Sequence, residues 1–302
     1  MTRYLDPKND LVFKKIFGEH PLLLKSFLNA VLPLPDDRQI DTLEYLPTEQ
    51  VPVVPCMKRP VVDVKCKDQY GQIFIVEMQM EWTDSFMQRL LFNTASAYVR
   101  QLAKGEQYDL LNPVYGLALI NNRFDPIEEN WYHHYGLIKV GSEHGQIIQG
   151  LTLVFVELPK FPITTPNAKQ LKILWLRFMR ELTNQTTVIS PDLLAIPEIK
   201  QAIALAEESA YTSAELDTYD RYWDSISTEK TLIHGKVTEA MKKGLEQGLE
   251  QGLARGLEQG REEGKREEAL KIARSLKKSG MSEDEIKKIT GFSLNEISGS
   301  SS

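Results

Sequence analysis

Two short apolar segments separated by five residues constrain this chain most: Val61–Lys67 and Ile73–Met80 both alternate apolar and polar positions. That period-two pattern predicts paired strands, and Asp68-Gln69-Tyr70-Gly71-Gln72 between them is a hairpin loop with Gly71 at the turn. Alternate side chains of a strand share a face, so Asp63, Lys65 and Lys67 are expected on one side, with Val62, Val64 and Cys66 on the other. On the second strand Glu77 and Gln79 share a face, opposite Phe74, Val76, Met78 and Met80. If Lys67 pairs with Ile73, counting back along both strands sets Asp63 against Glu77. Opposed Cβ atoms in an antiparallel pair lie about 4.5–5.5 Å apart, where like charges repel.

Such a pair needs compensation. A divalent cation supplies it, since Mg²⁺ takes carboxylate oxygens plus waters. With a cation at Asp63 and Glu77, a bound water becomes a better nucleophile and charge on a phosphate is stabilised. Gln79 then orients that water, and Lys65 and Lys67 contact the phosphate backbone. The alternative is a solvated sheet face on which the two lysines are surface partners of the acids.

The rest of the chain reads as an α/β protein. Helices are expected over Asp10–Gly18, with Phe13, Ile16 and Phe17 on one face, and over Pro21–Val31, ended by Pro33 and Pro35. The proline-rich stretch 48–60 reads as loop or edge strand. A helix from Ser85 to Lys104 ends at Gly105, and strands follow at Val114–Ile120, Trp131–Val140 and Leu151–Leu158. An amphipathic helix spans Leu171–Leu182, and helical character continues through Glu198–Tyr211 and beyond Ser227.

On the helix after the hairpin, Arg89 and Gln101 are either DNA contacts or, with Asn93, Ser96 and Tyr98, polar surface. His133 and His134 are adjacent in a strand and so face opposite ways, which argues against a zinc site. The sequence contains no CxxC, HExxH, GxSxG or Walker-type loop to offer another chemistry.

Composition changes sharply at Gly244. Glycines recur at 244, 248, 252, 256, 260 and 264, mostly as Gly-Leu-Glu-Gln. In a helix a four-residue step turns about 400°, so glycine and leucine form adjacent ridges that drift by about 40° per repeat. Each glycine costs about 0.8–1.0 kcal/mol against alanine, so the segment is either a linker or a helix stabilised by self-association along the ridge. The tail, with Ala269–Ile297 broken at Gly280 and Gly291, predicts short helices. Capping-box patterns occur at Ser282/Glu285 and Ser293/Glu296. The expected organisation is thus residues 1–235, 236–268 and 269–298.

Charge and cysteine usage narrow the setting. The 302 residues carry 36 Lys and Arg against 42 Asp and Glu, a net charge of −6, which argues against a protein coated in basic charge but not against a local basic groove. Cys56 and Cys66 are expected as free thiols, Met1–Asp6 has no signal-peptide core, and no apolar run approaches a membrane span. A cytoplasmic setting is the expectation.

Several blocks in order carry a family resemblance: Asp10–Gly18, Leu28–Leu32, Val62–Lys65, Val76–Gln79 and the glycine tetrads. Together they resemble the Rpn family of recombination-promoting nucleases, within the PD-(D/E)XK superfamily, over Asp10 to about Ile297. The resemblance implies a restriction-endonuclease-like core with a mixed central sheet flanked by helices, followed by a helical C-terminal tail. It also implies Mg²⁺-dependent hydrolysis of DNA, with Mn²⁺ able to substitute. Asp63 and Glu77 match the metal-binding acids. Gln79 stands where the wider superfamily often has lysine, as is typical of the Rpn-like group. Asp10 matches an additional metal-assisting acid, or else caps the first helix. Lys14 and Arg89 are candidates for contact with DNA. A catalytically degenerate, oligomeric interaction protein is the competing expectation.

Overall fold

The hairpin organises the fold. A computed structural model describes residues 2–49, 61–141, 147–162 and 170–293. Strand β2 (Val64–Asp68) runs antiparallel to β3 (Ile73–Gln79), with Lys67 opposite Ile73 and Val64 opposite Val76, the register supposed above. Asp68 Oδ1 accepts from the Tyr70 and Gln72 amides, and Gly71 closes the turn at φ +80°.

Around this pair a six-stranded mixed sheet is built in the order β1-β2-β3-β4-β6-β5. Strand β1 (Leu43–Tyr45) is antiparallel to β2, while β4 (Val114–Ile120) lies parallel to β3 and to β6 (Ile147–Glu157). Strand β5 (Tyr132–Ile138) closes the sheet antiparallel to β6. Every residue of β4 is buried, as expected for a central strand covered on both faces.

The two faces bury different helices. One face carries α1 (Asp10–Phe13), which runs on into a π-helical turn (Lys14–Gly18), then α2 (Pro21–Val31), α4 (Leu171–Glu181), α5 (Pro191–Leu194) and α6 (Pro197–Leu205). Phe13, Phe17, Phe27, Trp175 and Phe178 interlock there with ring centroids 4.8–5.7 Å apart, against Val64, Cys66, Phe74 and Val76 of the hairpin. The other face carries α3 (Phe86–Val99), whose Phe86, Leu90 and Ala97 pack on Ile73, Ile75, Ala118, Leu153 and Phe155. Helix α3 lies close to β4 because residue 116 is glycine. A Cβ there would stand 2.6 Å from Thr94 Oγ1 and 3.0 Å from Leu153 Cδ2.

Several expectations are corrected. Val62 does not share a face with Val64: the chain bends at Asp63, one residue before β2 begins, and Val62 joins the α3-side core. Helix α3 stops at Val99 rather than Lys104, where the Gln101 amide clamps the backbone N–H and C=O of Asn112. That makes Gln101 a structural bracket. Strand β6 begins at Ile147, four residues earlier than expected, because its exposed start pairs with Leu137 and Ile138 of β5. Helix α7 begins at Ser213 and runs unbroken to Lys278. Thr212 and Glu215 form a reciprocal cap at its start.

The chain divides into two compact units, Met1–Trp223 and Asp224–Ser302. In the second, the glycine repeats are helical. A Cβ on any glycine from 244 to 264 would meet no atom within 4 Å, and Leu245, Leu249, Leu253 and Leu257 are 66–68% exposed. The end of α7 and α8 (Glu283–Thr290) share a small cluster of Ala273 and Ile286, and the Ser282/Glu285 capping box is present. Glu296, the partner of Ser293 in the second capping pattern, and Cys56 lie outside the described residues. Cys66 is buried and free. No described helix is long and apolar enough to cross a membrane.

Gly116→Val should push α3 off the sheet, since Thr94 Oγ1 is held by the Leu90 carbonyl at 2.7 Å and cannot yield freely. Overpacking of this kind costs about 1–3 kcal/mol. Denaturant unfolding should show a loss in that range, and a variant of unchanged stability would refute the close approach.

Candidate active site

The bend just ahead of β2 gives Asp63 its place. Ahead of the strand, its side chain substitutes for the missing backbone ladder, and the Met78 amide donates to Asp63 Oδ2 at 2.8 Å. Asp63 therefore lies across from the segment that carries Glu77 and Gln79. Burial raises its carboxyl well above the ordinary 3.8, to about 7; the Met78 N–H opposes the rise, nearby Asp10 and Glu77 add to it, and Lys14 lowers it.

Glu77 projects from β3 toward α3 and is 6% exposed. Asn93 Nδ2 donates to its Oε1 at 2.8 Å, and Arg89 Nη2 lies 3.7 Å from its Oε2. Burial raises the Glu77 carboxyl, against the pull of Asn93 and Arg89. Asn93 and Arg89 are four residues apart and so occupy one face of α3. Arg89 also donates to Gln79 Oε1 at 2.6 Å, while Gln79 Nε2 donates to the Glu81 carbonyl at 2.6 Å. Gln79 is thus held at both ends of its amide.

The first helix supplies the third side of the site. Its cap is Asn9, whose side chain accepts from the Leu11 and Val12 amides, so Asp10 does not act as the cap. Asp10 instead receives Lys14 Nζ at 3.0 Å, and the same ammonium lies 3.9 Å from Asp63 Oδ1. The structure brings together Asp10, Lys14, Asp63, Glu77, Gln79 and Arg89.

It does not bring Lys67 to them. Lys67 lies four residues along β2 from Asp63, about 13 Å at strand spacing, and pairs with Glu44 at 3.0 Å. Lys65 lies between, its ammonium lowered by burial and by Arg100. His133 is buried against Glu157, 2.9 Å from Oε1, whereas His134 is exposed on the other face, as alternation requires.

Three neighbours were not assigned from sequence. Asn93 stood out only as a polar residue on an apolar helix. Glu81 accepts from Asn122 Nδ2 at 3.0 Å and tethers the loop after β4 beside the site. Tyr222, from the third turn of α7, lines a cavity of about 190 Å³ together with Asp10 and Lys14. No local pattern links a tyrosine at 222 to a hairpin at 63–79. Among the described residues, no group of three or more His, Cys, Asp and Glu converges closely enough to hold a metal ion unaided.

The family model described as PD-(D/E)XK nuclease family transposase matches residues 7–235. No curated protein and no solved structure matches the chain. The matched stretch contains the whole mixed sheet, its flanking helices and all six residues gathered at the end of β3, and the sheet is the restriction-endonuclease-like core. The chain belongs to the PD-(D/E)XK nuclease family of transposases.

Proposed function

We propose that this protein is a divalent-metal-dependent DNA endonuclease that hydrolyses phosphodiester bonds in DNA recombination or in defence against mobile elements and phage, in the cytoplasm. The observation that carries the reading is the pair of carboxylates at one end of the hairpin, half-buried Asp63 just ahead of β2 and buried Glu77 on β3. Each is raised by desolvation, and the charge of Glu77 adds to the rise at Asp63. Local positive charge comes from Lys14 and Arg89, whose side chains are 43% and 51% exposed and therefore well screened. The donors are carboxylates, with neither thiol nor imidazole among them, which suits a hard cation such as Mg²⁺ or Mn²⁺. Mg²⁺ is commonly held by one or two carboxylates with waters and substrate phosphate oxygens, so a preassembled cage is not required.

Asp63 and Glu77 would hold the ion, with Asp10 assisting. Once bound, it supplies Lewis acidity toward a phosphate oxygen and lowers the pKa of a water. The chain's own residues do the rest. Asn93 fixes which oxygen of Glu77 faces inward. Arg89 locks the Gln79 amide, which presents a neutral hydrogen-bonding group rather than the ammonium a lysine would bring. The exposed Lys14–Asp10 pair is worth at most about 1 kcal/mol, so Lys14 is readily released to a phosphate of the substrate. Lys65 and Lys67, further along β2, are left for flanking phosphates.

Plasmid DNA should be nicked in Mg²⁺ or Mn²⁺, and Glu77→Ala should lower the rate by about 100-fold or more, since several kcal/mol of charge stabilisation are at stake. Equal inactivity of wild type and variant in both ions would favour a degenerate interaction protein instead.

The acids also predict a dependence of stability on pH. Asp63 titrates at about 7 when folded against 3.8 as its ordinary value, so the folded state holds the proton more tightly. Its contribution is fully present below about pH 4 and is lost as pH rises through about 7. Divalent ions bind the ionised form, so added Mg²⁺ should raise the melting temperature more at pH 8 than at pH 5. A melting temperature equally indifferent to Mg²⁺ at both values would contradict this.

The open leucine and glycine ridges of α7 support self-association. A chain ending before Gly244 should scatter light as a smaller species than the full chain; an unchanged oligomer would exclude this route.

A further inference from the structure

We infer that Tyr222 is a positioning residue of the nuclease site, its hydroxyl serving the Asp10 and Asp63 carboxylates as a neutral hydrogen-bond donor that fixes which oxygens they present to a divalent cation. The inference rests on the reading of Asp63 and Glu77 as metal-holding acids and extends it to a helix about 150 residues away in sequence.

Geometry supplies the first argument. The first turns of α7 lay Glu215, Thr218 and Tyr222 along one side of the cavity whose opposite wall is Asn9, Asp10 and Lys14. Their spacing of three and four residues puts them on a single helix face. This stretch of α7 is anchored independently of Tyr222. The Asp6 amide donates to Tyr219 Oη at 3.0 Å, Lys15 Nζ lies 3.5 Å from Glu215 Oε1, and Leu216, Tyr219 and Trp223 join the main core. The Tyr222 ring packs edge-on against Trp223, with centroids 5.6 Å apart. Packing thus fixes the ring's place.

Charge supplies the second. A phenol keeps its proton at neutral pH; Asp10 and Lys14 line the same cavity as Tyr222, and Asp63 Oδ1 lies 3.9 Å from the Lys14 ammonium. A lysine or arginine at this position would neutralise the acids and compete with a metal ion. Another acid would add to the repulsion that already raises Asp63. A phenol donates a hydrogen bond and adds no charge. Lys14 already occupies Asp10 Oδ2, and the Met78 amide occupies Asp63 Oδ2. A further donor on this side therefore bears on which of the remaining oxygens stay open.

The test is Mn²⁺ binding to the full-length chain, read from the electron paramagnetic resonance of free Mn²⁺, with DNA nicking measured in parallel. Substitutions in the outer shell of a metal site typically weaken the metal by about 10–100-fold. Tyr222→Phe should therefore weaken Mn²⁺ about 10-fold with an unchanged melting temperature, and saturating Mn²⁺ should restore the nicking rate. Tyr219→Phe is the structural control: it should lower the melting temperature and leave Mn²⁺ affinity at the wild-type value. Wild-type Mn²⁺ affinity in Tyr222→Phe would overturn the inference and leave the nuclease reading standing. Equal weakening by both substitutions would also overturn it, by making the effect one of fold. If the wild-type protein binds no Mn²⁺, the assignment of the acids fails and the inference falls with it.

Discussion

The hydrogen bond from the Met78 amide to the Asp63 carboxylate stands where the β2–β3 ladder would otherwise continue, and the arrangement of the site follows from it. A hairpin that simply ran on would present Asp63 as one more face residue, free to swing into solvent. The bend at Asp63 makes its side chain a backbone partner instead, which fixes one oxygen and leaves the other toward Lys14. The same bond holds Asp63 beside Glu77, so two acids that repel are kept close by a contact that belongs to the fold. The cost is desolvation, visible in the raised carboxyl of each. Strain of this kind is tolerated at functional sites and is offset elsewhere in the structure.

Here the offset lies in the two cores on either side of the sheet. The aromatic cluster on the α1 face holds the first helix, and with it Asp10 and Lys14, against the hairpin. On the other face, Gly116 lets α3 approach β4 closely enough for Asn93 and Arg89 to reach Glu77. The site is therefore a junction of three elements, each located by apolar packing, with polar groups only at their meeting point. A substitution remote from the acids, at Phe17 or Gly116, acts on the site through the helix it holds.

Much of this was legible in the sequence, for physical reasons. Alternation marked the two hairpin strands, and the register supposed for them holds because a slip by one residue would reverse every side chain. Buried β4 was legible as a continuous apolar run. The bend at Asp63 was not, because nothing in Val62-Asp63-Val64 marks a break in alternation, and Val62 was set on the wrong face in consequence. The end of α3 at Val99 was hidden for a related reason: Gln101 stops it through a contact with Asn112, eleven residues away, whereas Gly105 offered a local stop signal that the chain does not need. Thr212 and Glu215 did carry a readable capping pattern, but it was masked by the polar, aperiodic run that follows. Tyr222 is the extreme case. Its place depends on the path of the whole chain, and no spacing rule connects it to Asp63.

The negative net charge of the chain fits a nuclease once the field is considered locally. A residue at the rim of the site contributes to phosphate attraction only within about a Debye length, roughly 8 Å at physiological ionic strength. Lys14 and Arg89 stand at that range from the acids, whereas the surplus of Asp and Glu is spread through the rest of the chain. On the proposed reading, the acidic centre repels a phosphate until a cation neutralises it, so DNA binding and metal binding would be linked. The coupling works in both directions, because whatever tightens DNA in the presence of the ion must tighten the ion in the presence of DNA by the same factor. On the proposed reading, an acidic protein with two close carboxylates at its site would be held off DNA until metal is bound, which a uniformly basic surface could not achieve.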